Sequence, residues 1–227
     1  MTLEDGKVTP GVALDPASPA LRLQILSTEH WSLLATRSLA WNETFSRAGM
    51  FLSTLSGAMV AIALVAQASS SSSGFVLFAL AILPVVLFIG VATFVRLGAS
   101  NYYDAMCIVG MNRIRAGYLE LAPDLERYFV MSAHDDPRGV AISMGVPTGM
   151  RSTLHVIAAT PSVISILDAV IAGVIAALAG SELDAPPALG LGAGLLAFSV
   201  ALVIQQRYAR RYIARVRSSV QPIFPSP

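Results

Sequence analysis

"STEHWSLLATRSLAWNETFSRAGMFLSTLSG", Ser27 to Gly57, opens with two tryptophans, a histidine and ion-pairable charges and closes in an uninterrupted apolar helix. Its second half starts the first of four windows apolar enough to cross a hydrocarbon core of about 30 Å, which takes roughly 17 to 25 helical residues. The windows run from Ala48 to Gln67, Phe75 to Val95, Thr153 to Ala179 and Ala188 to Ile204. Composition points the same way: of 227 residues 55% are apolar and 13% charged, where a soluble domain has about 25% charged. The expected fold is all-α: a polytopic four-helix transmembrane bundle with an amphipathic N-terminal juxtamembrane helix and a small helical cytoplasmic layer.

The charges orient this bundle. Every Lys and Arg lies before the first span (Lys7, Arg22, Arg37, Arg47), between the second and third (Arg96, Arg113, Arg115, Arg127, Arg138, Arg151) or after the fourth (Arg207, Arg210, Arg211, Arg215, Arg217). The serine-rich connection after Gln67 has no charge, and the one after Ala179 has only Glu182 and Asp184. The positive-inside rule then places both termini and the central segment of a multi-pass membrane protein in the cytoplasm. The divisions are a disordered tail over 1–20, a juxtamembrane helix over 21–47, spans over 48–67 and 75–95, a cytoplasmic helical segment over 96–151, spans over 153–179 and 188–204, and a basic tail over 205–227. No apolar h-region follows a basic n-region near the start, so no cleaved signal peptide is expected.

Helices in lipid associate where small residues let backbones approach. Gly49, Ser53, Gly57 and Ala61 form one such row in the first span, Ser165, Ala169, Gly173 and Ala177 another in the third, and Gly190 and Gly194 a shorter one in the fourth. Spans one and three are therefore expected among the inner helices. The rows serve packing within one chain or contact between copies. Pro84 and Pro161 suggest a bend in span two and a kink or late start in span three.

Asp168 lies in "SVISILDAVIAGVIAAL", where an ionised carboxylate is expensive and an acidic group is a functional-site hypothesis by default. Depth matching offers Ser53, Thr54 and Ser56, Ser199, and Ser165 of its own helix as hydroxyl donors. Two readings stand: a neutral acid that cross-links helices, or a group lining a wet path for ions or protons. His155 is about 20 Å away along the helix and is excluded as a direct partner.

From Leu21 to Phe45, positions Leu23, Leu26, His30, Leu33 with Leu34, Arg37, Trp41 and Phe45 fall along one helical side. Ser27 or Thr28 can interrupt or cap it; Glu43 and Arg47 are an i,i+4 pair, and Arg37 can lie over Trp41. The segment reads as an interfacial helix or one docked on the cytoplasmic layer. That layer comprises a helix continuing from span two and stopping near Pro123, then a short helix from Asp124. Asn112, Arg113 and Arg115 can meet an anionic ligand or pair with Glu120, Asp124 or Glu126. His134, Asp135 and Asp136 read as a turn before Pro137 rather than a metal site. Arg207, Arg210, Arg211, Arg215 and Arg217 suit anionic headgroups. Cys107 is a packed thiol.

Gly192-Ala-Gly194-Leu-Leu-Ala197 matches a dinucleotide fingerprint only formally, since no strand precedes it. The only lysine is Lys7, which removes a P-loop, and there is no HExxH or GxSxG. No enzyme, cofactor, metal or nucleic-acid partner is expected. "WSLLATRSLAWNETFSRAGMFLSTLSG", "MNRIRAGYLELAPDLERYF" and "HDD" together resemble uncharacterised four-span bacterial integral membrane proteins, over Leu21 to Arg217. That resemblance implies a cytoplasmic-membrane address and no chemistry. Three functions follow: a self-associating scaffold or accessory subunit with a cytoplasmic protein partner; a small channel or proton-linked permeation protein using Asp168; and, last, a lipid-modifying enzyme using His134, Asp135 or Asp136.

Overall fold

The computed structural model describes residues 18–68, 72–145, 160–183, 185–219 and 221–227. Its elements are α1 (Pro19–Ala68), α2 (Ser72–Leu121), a 3₁₀ turn (Pro123–Tyr128), α3 (Pro137–Ser143), α4 (Thr160–Glu182) and α5 (Pro187–Ser219). Four helices, α1, α2, α4 and α5, are long and apolar enough to span a membrane, as a multi-pass membrane protein requires.

The juxtamembrane segment and the first span form one helix. Ser18 caps it, its Oγ accepting from Leu21 N–H at 3.3 Å. Ser27 and Thr28 do not interrupt α1, because their hydroxyls bond back to Gln24 O at 3.0 and 2.8 Å. α2 likewise runs through Pro84 and ends at Leu121, two residues before Pro123. At 50 residues each, α1 and α2 are about 75 Å long, far more than a bilayer core needs. They leave the apolar zone together as an antiparallel arm.

One sequence pattern holds that arm and the bundle. One set of buried residues on α2 steps by three and four without a break, Val76, Ala79, Leu83, Val86, Gly90, Thr93, Leu97, Ser100, Asp104, Cys107, Met111 and Ile114, with Phe94, Ile108, Val109, Asn112 and Ala116 buried beside it. That is the heptad seam of a left-handed helix pair, and it keeps its phase from the apolar half into the polar half. α1 answers with Thr44, Ala48, Phe51 and Ala58. In the arm, Leu33 sits over Gly110 and Leu26 over Gly117; a Cβ would meet their Cδ1 atoms at 2.7 and 3.1 Å. Both pairs are seven residues apart, so glycines form the holes for leucine knobs.

The register leaves Trp41 and Phe45 off the seam and exposed. Arg37 and Trp41 instead share Asp104 Oδ1, at 2.6 Å from Nε and 3.0 Å from Nε1. Glu43 Oε1 accepts from both Arg47 and Arg96, at 2.9 and 3.0 Å. His30 stacks on Tyr118 at 5.9 Å.

α4 and α5 form the second hairpin. Gly173 faces Gly194 so closely that a Cβ on either would lie 2.9 Å from the other's carbonyl oxygen, and Gly180 lies against Gly190. α4 packs on α2, while α1 has α2 as its main neighbour and lies at the edge. The inner helices are therefore α2 and α4, which corrects the expectation for span one. Gly49 and Gly57 meet nothing within 4 Å of an added Cβ, and Ser53 between them is exposed. The core is Phe51, Leu83, Val86, Phe94, Leu97, Ile164 and Ile171 with their neighbours. Beyond it α5 stays beside α2, with Phe94 on Tyr208 at 6.1 Å and Tyr102 on Tyr212 at 6.0 Å.

Candidate functional site

Two polar assemblies stand out, one inside the bundle and one at the end of the arm. The inner one is built on Asp168, which is wholly buried. Its helical spacing from Ile164, Ser165, Ala169, Ile171 and Gly173 keeps it on the buried face of α4. Gly90 of α2 gives it room: a Cβ there would lie 1.8 Å from Asp168 Oδ1 and 2.8 Å from the Phe51 ring. Gln205 of α5 donates to Asp168 Oδ2 at 3.3 Å and is itself buried. Asp168 Oδ1, Ser165 Oγ and Gln205 Oε1 are buried with no hydrogen-bond partner among the described residues. Each such group costs about 1 to 3 kcal/mol if left so.

Most of the partners expected for Asp168 are elsewhere. Ser53, Thr54, Ser56 and Ser199 are exposed; Thr54 and Ser199 satisfy themselves within their helices, on Met50 O at 2.9 Å and Leu195 O at 2.8 Å. A hydroxyl that can reach its own i−4 carbonyl needs no partner across the bundle. Ser165 alone accompanies the carboxylate. Gln205 was missed because it falls one residue beyond the fourth apolar window, and with it Asp168 moves from mid-span toward the arm. Gly90 could have been noticed as the lone glycine of an otherwise bulky span.

Of the packing residues, Ala169 and Gly173 are buried in α4, and Gly190 lies against Ala177 O, 3.5 Å from an added Cβ. Ala61 is half-buried. Pro161 stands at the start of α4, and His155 and Arg151 lie outside the described residues. Arg207, Arg210 and Arg211 are exposed; the side chains of Arg215 and Arg217 lie outside the described ones.

The second assembly caps the arm. Asn112, wholly buried on α2, donates to His134 O at 2.7 Å and accepts from Ser143 Oγ at 2.9 Å and Arg115 at 2.7 Å. This ties α3 and the loop before it to α2, and Asp136 caps α3 by accepting from Gly139 N–H at 3.1 Å. Arg113 Nε meets Asp135 Oδ2 at 2.7 Å and its Nη2 donates to Gln221 O at 2.9 Å. The acidic partners expected for Arg113 and Arg115 are thus replaced by Asp135 and Asn112. The expected short helix from Asp124 is the 3₁₀ turn instead.

Asp135 is also the anchor of the C-terminal segment. Its carboxylate accepts from Ile223 N–H at 2.9 Å and Phe224 N–H at 2.8 Å, and its own N–H donates to Phe224 O at 3.1 Å. Ser226 Oγ donates to Asp136 Oδ1 at 2.7 Å. Burial alone would raise the Asp135 carboxyl, but the Ile223 N–H, Arg113 and the Phe224 N–H outweigh it and hold it below the usual carboxylate value. For Asp136, burial is likewise outweighed, by Ser226 and the main-chain donors around it. Both carboxylates are therefore engaged acceptors. No cluster of three or more His, Cys, Asp or Glu fit to hold a metal exists among the described residues. No protein-family model matches the chain, and neither a curated protein nor a solved structure does.

Proposed function

We propose that the protein is a non-enzymatic integral membrane protein that self-associates and acts as a scaffold or accessory subunit through the helical layer at the end of its arm. The observation that carries this is an asymmetry between two equivalent rows. Gly173 and Ala177 of the α4 row are met by Gly190 and Gly194 of α5, whereas an added Cβ at Gly49 or Gly57 of α1 meets nothing and Ser53 between them is exposed. A close-approach row on an edge helix suits the same row of a second copy. The charge distribution supports a cytoplasmic arm and cytoplasmic termini in a bacterial inner membrane. Exposed Trp31, Leu34 and Leu39 give the arm apolar surface for a protein partner, and exposed Arg207, Arg210 and Arg211 suit anionic lipid.

Gly49→Leu with Gly57→Leu is the test. Wild type in mild detergent is expected to elute as an oligomer by light scattering, and the double variant as a monomer of unchanged helicity. A wild type that is monomeric in detergent and uncrosslinked in lipid would sink the reading.

A second reading is favoured by the three unpartnered oxygens at Asp168: a permeation protein in which that node takes up cations or protons. The outward-facing Ser53, Ser56 and Ser199 supply no polar path to it, which makes this the lesser reading. It expects proteoliposome flux under an imposed voltage that is lost in Asp168→Asn. Equal flux in wild type and folded variant, or none in either, would reject it.

A further inference from the structure

The C-terminal segment, Gln221-Pro-Ile-Phe-Pro-Ser-Pro227, has the make-up of a ligand. Three of its seven residues are proline. Proline fixes its own φ and restricts the residue before it, so the segment has few conformations to lose on docking; it bends at Ile223 and Phe224. Pro222 and Pro225 have no N–H. The consecutive donors left between them are Ile223 and Phe224, and both go to the Asp135 carboxylate.

The receiving surface is built without help from this segment. Asn112 fixes the His134 carbonyl and Ser143, Ser143 Oγ accepts from Ser132 N–H at 3.2 Å, and Ser132 Oγ accepts from His134 N–H at 3.0 Å. These bonds set the loop that carries Asp135 and Asp136. Apart from Ser226, the contacts address main chain: Arg113 on Gln221 O, Asp135 on two N–H groups, and Asp135 N–H on Phe224 O. The Ile223 side chain points away and is 61% exposed. A surface that binds two successive N–H groups through one buried carboxylate and a C=O through one guanidinium reads the bend the main chain makes at Ile223 and Phe224 rather than particular side chains.

We infer that Arg113, Asp135 and Asp136 form a recognition site for a short peptide bent between two prolines, occupied in cis by the chain's own residues 221–227. The same segment of another copy competes for it. Tethering gives the resident segment an effective concentration in the millimolar range, so exchange requires a competitor at comparable concentration. The site works whether or not α1 self-associates, and failure of one reading leaves the other standing.

The experiment uses the full chain with Pro227→Cys carrying a fluorescent dye; Cys107 is buried and spared. Tail anisotropy is expected to be high in this protein and to fall to that of a free peptide in Asp135→Asn. Unlabelled peptide of the sequence Gln-Pro-Ile-Phe-Pro-Ser-Pro should lower the anisotropy saturably, to half its span at about millimolar concentration. The same peptide N-methylated at Ile and Phe, lacking both donors, should do nothing. An equal effect of the methylated peptide, or no effect of the parent peptide at tenfold higher concentration, would overturn the inference. The competition needs no site variant, so it decides the matter even if Asp135→Asn fails to fold.

Discussion

Gly90→Ala lowers the stability of the bundle by about 1 to 3 kcal/mol, the usual result of forcing extra volume into a packed core, while Gly49→Ala leaves it unchanged or slightly raised. Both are glycines inside long helices, and alanine by itself favours a helix interior by up to about 1 kcal/mol. What separates them is what a Cβ meets. At Gly90 it lies 1.8 Å from Asp168 Oδ1 and 2.8 Å from the Phe51 ring, and both side chains are wholly buried with nowhere to retreat. At Gly49 nothing stands within 4 Å. The steric term exceeds the propensity term at the first position and, within one copy of the bundle, vanishes at the second. Moving Asp168 would also strain its bond to Gln205, so Gly90→Ala and Gln205→Ala should be less than additive. Unfolding the two alanine variants in SDS or by heat, beside wild type, reads the difference. Equal stability of Gly90→Ala and Gly49→Ala would mean that Asp168 is not seated on α2.

The four apolar helices were legible because hydropathy over about 20 residues is a strong pattern, and Asp168 was legible because a carboxylate in such a window is rare. The partners of Asp168 were not. Matching by depth offered the hydroxyls of Ser53, Thr54, Ser56 and Ser199, yet a helical hydroxyl can be satisfied by its own helix, and Thr54 and Ser199 do that. Gln205 was passed over because a hydropathy window ends where polarity begins, and this glutamine lies just past that edge. The continuity of α1 was hidden for a related reason. Ser27, Thr28 and the charges around them resemble a break, although their hydroxyls bond to Gln24 O. The heptad seam of α2 was harder still to see, since it runs through Gly90, Thr93, Ser100 and Asp104, residues of no common hydrophobicity. Only their shared phase marks them.

The cap depends most on Asp135, and Asp135→Ala is expected to cost about 1 to 3 kcal/mol locally, as loss of a hydrogen-bonded charged partner does, because Arg113 is 34% exposed and regains water. It strips Arg113 of its carboxylate and Ile223 and Phe224 of their acceptor in one step. The C-terminal segment can answer by leaving, so its N–H groups regain water and the loss appears as release of the tail rather than collapse of the bundle. Limited proteolysis with mass spectrometry should find cleavage within 221–227 accelerated at least tenfold, with the helical fragments intact. The same contact makes the tail acid-sensitive. Asp135 and Asp136 both titrate below their usual 3.8 when the tail is docked. A depressed native pKa means the released state binds protons more readily, so the stabilisation is fully present above about pH 4 and fades as pH falls through the native values. Amide exchange at Ile223 and Phe224, corrected for its intrinsic pH dependence, should therefore show protection that holds from pH 7 to about pH 5 and declines below pH 4. Protection that instead weakened between pH 6 and 7 would assign the clasp to a histidine, and protection unchanged at pH 3 would remove these carboxylates from it.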